Sequence, residues 1–178
     1  VKSKLSIPIT DDDLFDELDS LRGQQEQDDS TATSATSTTL VDTVERKEVD
    51  DFWVGGQIEI TSGTGVDQVR TITDFVQATG TLTVSPAWAT TPDSTSTYDI
   101  HRSFSNKIAK SFIDFENMLY NKGKRHSLIL ESSQIAMPLK YMTIHNICLD
   151  LMSNEGDKWN LLADVYSEKF ETSFTCLL

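Results

Sequence analysis

Apolar positions change their spacing twice along the chain. Leu14, Phe15, Leu18 and Leu21 recur at helical spacing behind Thr10, Asp11, Asp12 and Asp13, which cap and charge a helix start, and Gly23 follows as a stop. The pattern predicts an amphipathic helix of about three turns, too short to persist alone in water, so its apolar stripe must dock. Residues 24–30 are polar and charged and read as a linker. From Thr31 the period falls to two. Alternating or β-branched runs at 38–44, 57–61, 69–75, 81–85 and 97–101 predict five short strands, the third with Val69, Thr71, Thr73 and Phe75 on one face. Gly55-Gly56, Ser62-Gly63-Thr64-Gly65, Ala78-Thr79-Gly80, Pro86 and Pro92-Asp93 stand where hairpins need a positive or fixed φ. Strands this close, with no crossover helix between them, predict an antiparallel meander closing into a small barrel or sandwich. Trp53, Phe75, Trp88 and Tyr98 would supply most of its core.

Helical spacing returns in the last third. Phe104, Ile108, Phe112, Phe115 and Leu119 form one stripe that ends at Asn121-Lys122-Gly123. A second helix starts near Ser132 or Ser133, kinked or restarted by Pro138, and carries Leu139, Met142, Ile147, Cys148, Leu151 and Met152 to the Asn154-Glu155-Gly156 break. A third runs from Asp157 through Trp159, Leu162, Ala163, Tyr166 and Phe170. The predicted fold is α+β: a helical-bundle body with an inserted small antiparallel β-barrel or β-sandwich domain. Residues 1–29 give the first helix and linker, 30–102 the β-domain, and 103–178 the remaining helices.

Charge sharpens this division. The chain has 178 residues with 28 acidic against 15 basic side chains, and the net values of the three segments are −6, −6 and −1. A formal charge of −13 argues against a broad surface that grips nucleic-acid phosphates. No run of about 18 apolar residues occurs and the first residues lack an apolar signal core, so neither a membrane span nor a secretion signal is read. Cys148 and Cys176 lie far apart in apolar surroundings without metal-ligand spacing and read as buried thiols.

Candidate chemistry is sparse. His101, His126 and His145 stand apart, with no HExxH and no carboxylate at ligand spacing; His145 reads as a half-buried structural residue and His126 as a surface group. Ser62-Gly63-Thr64-Gly65 lacks the Lys-Ser/Thr ending of a phosphate loop and reads as a turn. The expectation is a protein that is not an enzyme, with no catalytic residue, cofactor or metal. Trp53, Trp88 and Tyr98 offer an aromatic platform for a sugar if they are exposed, and core packing if they are not. The one dense basic feature, Lys122, Lys124, Arg125 and His126, follows a helix C-terminus, where the dipole favours it, and is available to DNA or an acidic partner.

Several strings resemble proteins of the necks of tailed bacteriophages. Phe52-Trp53-Val54-Gly55-Gly56, Ile60-Thr61-Ser62-Gly63-Thr64-Gly65, Gln68-Val69-Arg70-Thr71-Ile72, Pro86-Ala87-Trp88 and Pro92-Asp93-Ser94-Thr95-Ser96-Thr97-Tyr98 look like a β-module inserted in many phage structural proteins. Leu128-Ile129-Leu130-Glu131-Ser132-Ser133-Gln134, an apolar helix and then Glu155-Gly156-Asp157-Lys158-Trp159 resemble the C-terminal helices of head-to-tail adaptor, or connector, proteins. Together these cover residues 40 to 170 or so. The resemblance implies a virion structural protein of the neck: a homo-oligomeric ring, usually twelvefold, docked under the portal protein and joined to tail or neck proteins. Genomic DNA would pass through its channel without sequence-specific binding, and no membrane is involved. An acidic lumen would repel that DNA and let it slide. For partner contacts the expectation falls on Leu128, Ile129 and Leu130, the terminal Phe174, Leu177 and Leu178, and the basic Lys124 and Arg125. The alternatives are a tail-completion or head-decoration protein, or a carbohydrate-binding module.

Overall fold

A computed structural model describes residues 5–123, 131–153 and 157–177. The chain divides into a helical unit, residues 1–24 with 104–178, and a β unit, residues 25–103. Each has its own apolar core.

The helical unit holds α1 (Asp11–Glu17), α2 (Ser105–Asn121), α3 (Ala136–Leu151) and α4 (Lys158–Leu177). Asp13 caps α1, its carboxylate accepting the Thr10 backbone N–H at 2.7 Å and the Thr10 hydroxyl at 3.0 Å. Leu18 leaves helical geometry at φ −141°, ψ 86°, so α1 stops after seven residues and Asp19–Leu21 forms a 3-10 turn. The three predicted turns of helix are thus two short pieces. Ser132–Ile135 is a 3-10 turn leading into α3, which places Pro138 in the first turn of α3, where its missing N–H costs nothing. Phe104, Ile108, Phe115 and Leu119 face the core as the stripe predicted, with Phe112 half-buried beside them. The helical-bundle body predicted from the sequence is not what these elements make. α3 packs most on α4, then on α2, and little on the seven-residue α1, so four comparable helices are not present.

The β unit is a seven-stranded antiparallel sheet: β1 (Gln27–Thr31), β2 (Ser34–Ala35), β3 (Thr39–Val41), β4 (Gln57–Ser62), β5 (Val69–Val76), β6 (Thr81–Ser85) and β7 (Thr97–His101), in the order β1-β7-β4-β5-β6-β3-β2. The predicted closed barrel or sandwich is overturned, because the sheet is open: β1 and β2 lie at opposite edges and do not pair. The reason is geometric. Alternating directions through seven strands leave β1 and β2 parallel, and a parallel pair needs a crossover of roughly a dozen residues. Only Ala32 and Thr33 separate them, so the second begins past the end of the first instead of beside it. Three Cα steps span at most ~11 Å, so the sheet must curl until its edges face each other across a seam. Ala32 N–H reaches Ser96 O (2.9 Å) on one side of that seam and Thr33 N–H reaches Val41 O (2.7 Å) on the other.

β1 is the strand that the linker reading missed, and its pairing with β7 moves the start of the β unit to residue 25. β5 departs from simple alternation. A bulge between Ile72 and Asp74 shifts its register against β6, so Ile72 and Phe75, three apart, both point inward. Gly80 has φ +61° and a Cβ there would lie 2.0 Å from Asp42 O, so only glycine fits.

Candidate functional site

Across the seam of the β unit lies a buried charged cluster built by residues that follow β3. Asp42 is fully buried; its Oδ1 accepts the backbone N–H groups of Val44 (2.9 Å) and Glu45 (3.0 Å), and its Oδ2 accepts the Tyr98 hydroxyl (2.7 Å). Burial pushes the Asp42 carboxyl up, but the bonds from Glu45, Ser30, Tyr98 and Val44 outweigh it and hold the group below its ordinary range. Burial and the bond to Asp42 push the Tyr98 phenol up, so it stays a donor. The guanidinium of Arg46, also fully buried, forms an ion pair with Asp28 on β1 and lies 3.9 Å from Asp42 and 3.5 Å from Glu48. It sits over the rings of Trp53 (5.3 Å) and Tyr98 (5.8 Å). Ser30 and Asp28 come from one edge strand, Asp42 and Arg46 from the segment after β3 near the other. Side chains therefore close the seam that the backbone leaves open. Arg46 Nε and Nη1 have no hydrogen-bond partner within the described residues, so the closure is electrostatic more than hydrogen-bonded.

This arrangement links the two edges of the sheet. Its carboxylates and its guanidinium neutralise one another, with Asp42 and Arg46 fully buried and Asp28 half exposed at the rim. Trp53, Trp88 and Tyr98 are 2%, 5% and 0% exposed, so the rings form core and present no sugar platform. Gly63 and Gly65 take φ +79° and +84° in the turn between β4 and β5. Among the described residues no three His, Cys, Asp or Glu side chains come together to hold a metal ion, and no described helix is long and apolar enough to cross a membrane.

In the helical unit polar contacts tie helices together. Glu17 at the end of α1 meets Lys169 (2.8 Å) from α4 and Lys140 (3.3 Å) from α3. Burial raises the Glu17 carboxyl, yet the two ammonium groups prevail and hold it below its ordinary range. Asp11 accepts the backbone N–H of Phe104 (3.0 Å), joining the start of α1 to that of α2. His145 Nδ1 donates to Ala163 O (2.8 Å), which makes it the half-buried structural histidine the sequence predicts.

Of the residues predicted to meet a partner, Phe174 is 2% exposed; its ring packs 5.5 Å from Phe115 and 5.3 Å from Phe170. Leu177 is half-buried against the same core. Lys124, Arg125, Leu128, Ile129, Leu130 and Leu178, with His126, lie outside the described residues. Cys148 is buried, and burial lifts its thiol to about 11, but Cys176 is exposed, contrary to expectation. Cys176 falls on the outer face of α4, a position its apolar neighbours in sequence conceal. The large apolar side chains left outside include Ile113 and Tyr120 on α2 and Leu161 and Val165 on α4. Sequence reasoning missed these because it followed the dominant inward stripe of each helix.

No protein-family model matches the chain, and no curated protein sequence matches it.

Proposed function

We propose that this chain is a structural virion protein, a head-to-tail adaptor of a tailed bacteriophage that assembles as a ring beneath the portal and continues the DNA channel toward the tail. One observation supports this reading most. The strings that resemble the phage β-module are used up in building one self-contained β unit: their tryptophans and tyrosine form its core, their glycines its turns, and the unit interrupts a set of helices. A module whose distinguishing residues all serve its own architecture suits a part in an assembly, where surfaces carry the role. The charge distribution agrees, because the β unit holds 13 acidic and 4 basic side chains and would repel a passing duplex wherever it lined a channel.

The test is the mass of the native particle by multi-angle light scattering, with and without the portal protein of the same phage, followed by negative-stain imaging. A ring that forms alone or on the portal is the expected result. A monomer in both conditions overturns the adaptor reading and favours a decoration protein that binds singly.

A further inference from the structure

The connection between β3 and β4, residues 42–56, contains no strand or helix, so no regular ladder satisfies its polar groups. Some find partners singly: Asp51 N–H donates to Phe75 O (3.0 Å), and Gly55 N–H to Ile72 O (2.9 Å). Four buried side-chain atoms of this connection do not. Arg46 Nε and Nη1, Trp53 Nε1 and Glu48 Oε2 have no hydrogen-bond partner within the described residues. They gather around one guanidinium. Arg46 Nη1 lies 3.5 Å from the second oxygen of the Glu48 carboxylate, and Arg46 Cζ lies 5.3 Å from the centre of the Trp53 ring. Trp88, the other indole buried in the β unit, differs in that it donates to Thr39 O (3.3 Å).

The distances within the cluster are those of groups held apart. Nη2 reaches Asp28 directly, but Nη1 stands 3.5 Å from Glu48 and Nε 3.9 Å from Asp42, beyond the ~2.7–3.2 Å of a direct bond. Polar groups separated in this way are the ones a bridging molecule joins. The chemistry of that molecule follows from the four atoms, since three are N–H donors and one is a carboxylate acceptor. A metal cation accepts nothing from an N–H. An anion donates nothing to Glu48 and would also meet the carboxylates of Asp28 and Asp42. What serves all four is a neutral group that both accepts and donates. Its size follows from burial: the Arg46 and Asp42 side chains are wholly enclosed and Trp53 nearly so, which admits only a small occupant.

We propose that ordered water completes this cluster, accepting from Arg46 Nη1 and Nε and from Trp53 Nε1, and donating to Glu48 Oε2. A buried water typically makes about three such bonds, which matches a site with more donors than acceptors among its walls. The seam is then joined partly through water, and Glu48, which no direct bond holds, becomes part of the joint. This inference concerns the β unit alone and does not rest on the adaptor reading.

The experiment uses the full chain labelled with 15N, and records contacts between the solvent-water signal and the side-chain N–H protons of Arg46, Trp53 and Trp88. In rotating-frame spectra, dipolar contact with a bound water has the opposite sign to the diagonal, whereas proton exchange with bulk solvent has the same sign. Arg46 Nε–H and Trp53 Nε1–H are expected to show the dipolar sign, and Trp88 Nε1–H, which has a protein partner, to show no contact. Absence of contact at both Arg46 and Trp53 overturns the proposal, and so does a signal of the exchange sign, which reports an open seam. Tyr98→Phe removes the nearest phenolic proton that could imitate water; the contacts should persist in that variant, and their loss from a folded protein overturns the proposal. Glu48→Met removes the acceptor with little change in length, so the contact at Arg46 should disappear while the Trp88 signal stays where it was. Contact at full strength in Glu48→Met overturns the site as assigned.

Discussion

The two units solve the same problem, closing a structure whose elements do not close by themselves, with opposite materials. In the helical unit every backbone hydrogen bond within a helix is local, so the helices need only apolar side chains between them, and rings such as Phe115, Phe170 and Phe174 provide these. Its ion pairs are peripheral: Lys107 with Asp150 is about half exposed, and even Glu17 retains some contact with water. In the β unit the backbone leaves two unpaired edges facing each other, and an apolar filling would strand their polar groups. There the charges are central. Arg46 and Asp42 are fully buried, so the β unit depends on electrostatics where the helical unit depends on packing.

That contrast breaks first at Arg46. Arg46→Ala leaves Asp42 buried without its counter-charge and should cost about 3–5 kcal/mol, the range for uncoupling a buried ion pair. Hydrogen exchange should show the loss in the strands, with α2, α3 and α4 protected as before; equal loss in both units would show that they fold as one. Tyr98→Phe removes only one donor from Asp42 and should cost about 1–3 kcal/mol, read from a urea melt in a Trp159→Phe background, where the remaining tryptophans, Trp53 and Trp88, both belong to the β unit. Glu17→Gln, at the corresponding junction of the helical unit, should cost about 1 kcal/mol or less, because its pairs with Lys140 and Lys169 are partly screened by water. Lys107→Ala should fall near zero for the same reason, and a measurable loss there would remove the distinction between peripheral and central charges.

Acid sharpens the comparison further. Glu17 and Asp42 both have folded-state values below their ordinary ones, so each adds stability that is complete above its unfolded value and is lost as pH falls through the folded value. The ordinary values are 4.5 for Glu17 and 3.8 for Asp42, so the helical contribution should begin to fade at the higher pH. Melts of Glu17→Gln and of Asp42→Asn between neutrality and acid check this: each substitution should flatten the acid limb of its own unit.

Much of this was legible in the amino-acid order. The stripe from Phe104 to Leu119 needs only period counting, and the four aromatic core residues of the β unit stand on alternating or turn-bounded positions. What escaped did so for physical reasons. Gln27–Thr31 has no apolar alternation because an edge strand exposed on both faces needs none, so it reads as linker. The bulge in β5 moves Ile72 to the face of Phe75, and no residue type announces it. Asp42 and Arg46 look like ordinary surface charges, since their burial depends on a curl of the sheet that arises from long-range pairing. Outward Ile113, Tyr120, Leu161 and Val165 were obscured in the same way, because a periodicity reading assigns apolar residues to the interior.

The pairing of β1 with β7 has a consequence for how such a chain is put together. Gln27 faces His101, and Arg102 binds Glu26 through both its backbone N–H (2.8 Å) and its guanidinium (3.0 Å), so the β unit begins and ends at one place. A segment that enters and leaves at neighbouring points behaves as a cassette: it can be gained, lost or exchanged by recombination at two sites without stretching the chain that receives it.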